Sequence, residues 1–398
     1  MRTAHFTVTA RQVQLHTRTL LQRHLALADH GRKCTATLLY DLLCWAACRI
    51  ASVAAACAAL KEAPSDQAAR DALLATLPEF LRLQRCLNQA LADGLPKPLR
   101  RHRQRLALDL TLIPYYGQPF ADPAELYGGT AKAGTRLFHA YATAYVIHRG
   151  CRWTVALRVV HQGDAWDAIV RDLLRQAVQA GVKARLVLLD RGFYSVAVIR
   201  YLQAARYPFI MPVIRRGRRP QHRRGPSGTW VYFARRHSGW DRHTLVERRG
   251  RARATVTLGI FCHWVERRPR RRPGPPKRRR EVWVYAFWGL RPGSLTWLRQ
   301  TFRQRFGIES SYRQMHQARI RTSTRQPLLR LLYVGVALLL RNVWVWLHWE
   351  VMAERRPGRR RVRLSRLPFR ALLGWLQQVI EQDWGQADVL ATQRPMQT

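Results

Sequence analysis

Acidic side chains are scarce in this sequence: 24 Asp and Glu stand against 69 Lys and Arg in 398 residues, a formal net charge of +45. The imbalance excludes most partners other than a polyanion. Neutralising phosphates with Lys and Arg releases condensed counterions, so such binding depends little on sequence and falls steeply with salt. A GC-rich genome would explain a preference for Arg over Lys, but not the lack of acids. Paired cysteines are also missing. The seven Cys, at 34, 44, 48, 57, 86, 151 and 262, form no CxxC and are odd in number, which excludes a disulfide framework or zinc ribbon and favours a reducing interior. The first residues, with Arg2, His5 and Arg11, lack the continuous apolar centre of a signal peptide, so secretion is not expected. Long apolar runs are nearly absent. Only 328–349 approaches the roughly 20 residues of a membrane span, and Arg330, Arg341 and Asn342 interrupt it. Because charges inside a span are costly, the expectation is a buried core helix and no membrane. There is no internal repeat and no HExxH among the 14 His, and His139, His148 and His161 read as hydrogen-bonded or exposed strand residues. The glycine-flanked stretch 129–135 lacks the lysine of a phosphate loop and reads as a hairpin turn.

What is present is enough apolar material, 47% of residues, for a soluble globular protein of two or three domains. Residues 9–100 read as helices rich in Leu, Ala, Gln and Arg. After the basic run 100–105 the text changes to short apolar runs at 106–113, 138–148, 153–161, 186–189 and 207–213, with helices at 165–180 and 195–205. That rhythm predicts an α/β fold with a mixed sheet. Between 214 and 295 short β-like pieces (229–234, 254–264, 282–290) alternate with loops rich in Arg and Pro. The loops 215–224 and 267–280 are too charged to pack and are expected to order on a phosphate backbone. Helices are expected again at 295–320, 327–350 and 368–383. The predicted domains are a helical, DNA-end-binding unit at 1–104, a catalytic core at 105–213 and 296–350, a β-rich insertion at 214–295, and a helical segment at 351–398.

In so basic a chain, an acid within an apolar strand needs a reason. Asp109 lies inside the run 106–113, where burial without a partner or metal would cost several kcal/mol. Its bland alternative is an outward-facing residue of a half-exposed strand. Asp190 ends the apolar run 186–189, and its bland alternative is a cap on the following helix. Glu309 is the only acid between Glu281 and Glu350, among Arg303, Arg305, Arg313, Arg319 and Arg321. A carboxylate there repels phosphate unless a cation lies between. Two Mg²⁺ ions roughly 3.5–4 Å apart can activate an attacking oxygen and stabilise a leaving one, and hard carboxylate oxygens suit them.

At these residues the sequence resembles the DDE transposases of bacterial and archaeal insertion sequences, in particular the IS-four-like group, over roughly 100–350. The stretch Asp190-Arg-Gly-Phe-Tyr-Ser195 is similar to the motif after that group's second Asp. Its third motif runs Tyr, two residues, Arg, three residues, Glu, six residues, Lys; here Phe302, Arg305, Glu309 and His316 stand at that spacing. Arg and Glu match; Phe302 lacks the hydroxyl, and His316 is mostly neutral near pH 7 where a lysine is charged. Tyr312 and Arg313 are candidates to supply the missing phosphate contacts, beside Arg191. The resemblance implies an RNase H-like core interrupted by a β-rich insertion. It implies Asp109, Asp190 and Glu309 as ligands of two Mg²⁺ or Mn²⁺ ions. The implied partners are double-stranded transposon ends and target DNA, engaged as a homo-oligomer on the nucleoid of a prokaryotic cytoplasm. Relatives stack an aromatic of the insertion on a flipped base; Trp230, Trp283, Trp288 and Trp297 are candidates here, each with core packing as its alternative.

The expected function is therefore metal-dependent cleavage at transposon ends followed by strand transfer. Two competitors are a transposase-derived DNA-binding protein that no longer cuts, and a metal-dependent nuclease on the same core. Retention of all three acids argues against the pure binder.

Overall fold

The first four helices each begin where a hydroxyl caps them. In a computed structural model describing residues 7–247, 250–267, 277–356 and 359–387, Thr9, Thr35, Ser52 and Ser65 accept hydrogen bonds from the backbone of Gln12, Leu38, Ala55 and Ala68. They start α1 (Ala10–Leu25), α2 (Ala36–Arg49), α3 (Val53–Ala59) and α4 (Asp66–Thr76). Two more helices, α5 (Phe80–Asp93) and α6 (Lys97–Arg101), complete the N-terminal helical region.

The sheet follows. Its strands are β1 (Gln104–Tyr115), β2 (Tyr127–Lys132), β3 (Thr135–His148), β4 (Cys151–Val160), β5 (Ala184–Leu189), β6 (Phe209–Pro212), β7 (Gly239–Val246), β8 (Arg253–Arg267) and β9 (Lys277–Trp288). Helices α7 (Trp166–Gln179) and α8 (Val196–Ala204) flank β5 in sequence, and a short α9 (Trp230–Ala234) precedes β7. The strand order is β2-β3-β1-β5-β6-β9-β8-β7, with β4 also on β3. Strands β1, β5 and β6 are parallel, while β3 and β4 run antiparallel. The result is a mixed, mostly antiparallel α/β sheet. The residues read as an insertion supply three antiparallel strands to this same sheet, joined through β6 and β9.

The C-terminal part holds α10 (Leu295–Arg303), α11 (Gly307–Gln317), α12 (Pro327–Glu350), a small hairpin of β10 (Glu354–Arg356) and β11 (Arg359–Arg361), and α13 (Phe369–Trp384). Helix α12 is long and apolar enough to cross a membrane, yet 94% of its most apolar stretch is buried inside the protein. Its polar residues have partners there. Arg341 donates to Arg152 O at 2.7 Å and to Ser311 Oγ at 2.8 Å, and Gly335 lets α5 come so close that a Cβ would meet Leu87 side-chain atoms at 2.5 Å.

The outer edge of β4 shows how the helical layers are fastened. An uncovered edge strand presents unpaired amides and carbonyls, and amide side chains meet them here. Asn88 of α5 pairs with both backbone groups of Leu157, at 2.9 and 2.7 Å. Asn342 of α12 does the same for Thr154, at 3.0 and 2.8 Å, and also reaches Leu91 O. Replacing Asn342 by Leu leaves these buried groups unpaired, each worth about 1–3 kcal/mol. The expected loss is about 2–4 kcal/mol of unfolding free energy, measurable by urea denaturation.

Several sequence expectations shift. The piece 229–234, expected as a strand, is mostly α9; its β-prone aromatics yield to a local pin, since Thr229 Oγ1 accepts from Arg216 N and donates to Ile214 O. The helix expected over 295–320 is broken by a 3₁₀ turn at Gln304–Phe306. Strands β2 and β7 are additions to that reading: β2 holds two glycines, and β7 alternates in burial but buries only Leu245 fully, leaving a weak apolar signal. The hairpin turn at 129–135 is present, with Ala133 and Gly134 both at positive φ between β2 and β3. Of the expected loop 267–280, residues 268–276 lie outside the described residues, and 277–280 belong to β9 rather than to a loop.

Candidate active site

Parallel pairing of β1 with β5 sets Leu108 opposite Leu189. The next residue along each is an aspartate, Asp109 within β1 and Asp190 just past the end of β5, so register brings the two side by side. Both converge on one cation. Arg305, projecting from the 3₁₀ turn between α10 and α11, lies 3.0 Å from Asp109 Oδ2 and 2.8 Å from Asp190 Oδ1. Asp109 Oδ1 accepts from the Leu110 amide at 2.9 Å.

The two acids differ in surroundings. Asp109 is nearly buried, whereas the Asp190 side chain is 44% exposed at the strand end. Burial pushes Asp109 up to about 6, an effect that Arg305 opposes and the Asp190 charge reinforces. A carboxylate in that range is an ion at neutral pH, held there at a cost.

Glu309 stands apart from them. It lies on α11 four residues beyond Arg305 and is exposed. Among the described residues no three His, Cys, Asp or Glu side chains cluster closely enough to hold a metal ion. The donor chemistry nevertheless suits a divalent cation in part: two carboxylates of hard oxygens already share one positive charge. Asp109, Asp190 and a guanidinium are brought together; Glu309 is not.

The supporting residues sort by burial. Phe302 is buried, packs on Tyr285 with ring centres 5.0 Å apart and lies under Arg305 at 5.7 Å. It therefore props the arginine, and the expectation that it faces DNA does not fit. Tyr312 is also buried, its hydroxyl sharing a 2.6 Å hydrogen bond with Thr143, the residue opposite Asp109 on β3. That hydroxyl is committed to the core instead of being offered to a phosphate. Arg191 and Arg313 are exposed. His316 is half-buried and held below the ordinary histidine range by burial, then by Arg319 and Lys132, so it is neutral at pH 7. Arg341, through Ser311 and Gln314, ties α11 to α12.

Of the four tryptophans, two come together. Trp230 and Trp283 line a cavity of about 400 Å³ with Arg215, Arg279 and Arg280. Arg215 lies over the Trp230 ring and Arg299 over that of Trp283, at 5.3 and 4.2 Å. Trp288 sits opposite Phe209 in the sheet, and Trp297 is on α10. Sequence reasoning passed over Trp264, whose ring is 57% exposed on β8. Its flanking strand residues give no signal of exposure. His139 departs from expectation too: it is buried, and its Nε2 has no hydrogen-bond partner.

Comparison with known proteins finds a likeness of fold. The cryo-EM structure of a piggyBac transposase synaptic complex with hairpin DNA matches over 98% of this chain and 84% of that chain, with a TM-score of 0.52 and 12% sequence identity. The chain thus resembles that structure in fold, and the likeness does not reach the IS-four-like group. No family model matches the sequence, and no curated protein matches it.

Proposed function

We propose that this chain is a DNA transposase that cuts the ends of its element and joins them to target DNA. The observation that carries it is the convergence of Asp109 and Asp190 on a single cation at adjacent parallel strands. The charge of +45 supports a DNA partner, and the piggyBac likeness supports the class. The strand order β4-β3-β1-β5-β6 supports an RNase H-like core, and the motif spacing around Arg305 and Glu309 supports the IS-four-like group.

In this reading Asp109 and Asp190 would hold Mg²⁺ or Mn²⁺, two ions per site, with Glu309 as the proposed third carboxylate. The ions supply activation of the attacking oxygen and stabilisation of the leaving one. Arg305, whose guanidinium now lies between the aspartates, would be displaced by such ions, and its planar fork is suited to a DNA phosphate. Arg191 and Arg313, both exposed, are the proposed contacts to the DNA backbone. The enzyme works as a homo-oligomer on DNA in a prokaryotic cytoplasm.

A second reading, a DNA-binding protein that does not cut, is favoured by the exposed Glu309 and by Arg305 between the aspartates. Duplexes copied from the DNA flanking the gene, incubated with the protein and Mg²⁺ or Mn²⁺, separate the readings. Joined products are expected. Cleavage without joining would make the chain a nuclease, and an intact bound duplex would leave only the binder.

A further inference from the structure

The face of the sheet that carries Asp109 continues into a second, unassigned site. Side chains alternate along a strand, so Asp109, Thr111, Ile113 and Tyr115 share one face of β1. Their antiparallel partners Thr143, Tyr141 and His139 share it too. Four residues along from Asp109, about 13 Å at strand spacing, this face opens into a cavity of about 570 Å³, closed on its other side by 319–325 and the start of α12.

The lining is unusual in three respects. Arg319, Arg321, Arg325 and Arg330 line it, and among the described residues no Asp or Glu does. His139, only 8% exposed, presents an Nε2 with no hydrogen-bond partner. Tyr116 stands beside it with its ring 72% exposed. By contrast, Arg330 is structurally engaged, donating to Thr324 O at 2.7 Å and lying 4.6 Å over the Tyr115 ring.

We infer that this cavity takes one unpaired nucleotide of the DNA strand that crosses the aspartate pair: phosphate on Arg319 and Arg321, base stacked on Tyr116, base edge read by His139. The inference rests on the transposase reading for the path of the strand. Arginines without acid would serve any anion, but a bare phosphate gives no use to an exposed ring or a buried imidazole. Burial, then the Arg330 charge, pushes His139 down to about 4, so the imidazole is neutral at pH 7. Its ring then carries one donor and one acceptor, as a base edge does. The positive lining also runs on toward α11, since Arg319 and Lys132 both act on His316.

A short single-stranded oligonucleotide containing 2-aminopurine, whose fluorescence falls on stacking, tests this with the full-length chain. Quenching on binding is expected, lost in Tyr116→Ala, which removes an exposed side chain whose hydroxyl donates one hydrogen bond, to Ala133 O. Affinity should drop roughly tenfold, the scale of one base-aromatic stack. An abasic oligomer of equal length should bind Tyr116→Ala and wild type alike, yet weaken in Arg319→Ala. Undiminished quenching in Tyr116→Ala, or equal loss on the abasic oligomer, would overturn the base site. A deoxynucleoside monophosphate that competes as tightly as the oligonucleotide would overturn the strand as its source. Failure of the catalytic reading registers elsewhere: Asp109→Asn would leave end cleavage unchanged, whereas quenching does not depend on that residue.

Discussion

Replacing Asp109 by Asn is expected to reduce metal-dependent cleavage of end DNA by about a thousandfold or more, because a lost metal ligand forfeits several kcal/mol of charge stabilisation. DNA binding should stay equal or tighten, since a negative charge leaves the phosphate path. The same change should stabilise the fold without metal. Asp109 is raised from 3.8 to about 6 by burial, so the folded state favours its protonated form. The associated stability is full below pH 4 and is lost as pH rises through about 6. An uncharged Asn escapes that loss, so the variant should gain about 3 kcal/mol at pH 8 and nothing at pH 4. Thermal unfolding at both pH values, beside a gel assay of cleavage, checks both parts. Near-normal cleavage in Asp109→Asn would remove the residue from the chemistry. The apparent affinity of wild type for the ions should also weaken below about pH 6, where the proton on Asp109 competes with the metal.

Arg305→Met carries the second large effect. The guanidinium is buried between two aspartates, and removing one partner of a buried ion pair costs about 3–5 kcal/mol because the other charge stays behind. Asp109 would then rise further. A divalent cation should reverse much of this, since it would occupy the place of the arginine and stabilise the folded state by mass action. The thermal midpoint of Arg305→Met is thus expected to climb with millimolar Mg²⁺ or Mn²⁺ more than that of wild type, where the guanidinium competes. A midpoint indifferent to both ions would sink the two-metal proposal while leaving DNA binding in place.

How far the sequence disclosed this site depends on which kind of signal each residue leaves. Asp109 and Asp190 were readable because each interrupts or ends an apolar strand in a chain poor in acid, and strand register does the rest. Arg305 was readable only by motif spacing; nothing in its neighbours announces that it bridges the aspartates. The inward orientation of Phe302 and Tyr312 is not legible, because the residue pattern over 295–320 predicts one unbroken helix and the 3₁₀ turn at Gln304–Phe306 resets which face looks inward. The arginine and tyrosine cavity was invisible for another reason. It joins Tyr116 to Arg319 and Arg321 across some two hundred positions, and no local periodicity records such a meeting.

The seam between β6 and β9 has a mechanical meaning. Four residue pairs from Phe209 to Pro212 bond the half of the sheet that bears Asp109 and Asp190 to the arginine-bearing strands, so the two halves form one continuous plank in place of a jaw on a hinge. Under the proposed function, gripping DNA would then fall to the parts not woven into the plank, above all the bent passage from α10 to α11.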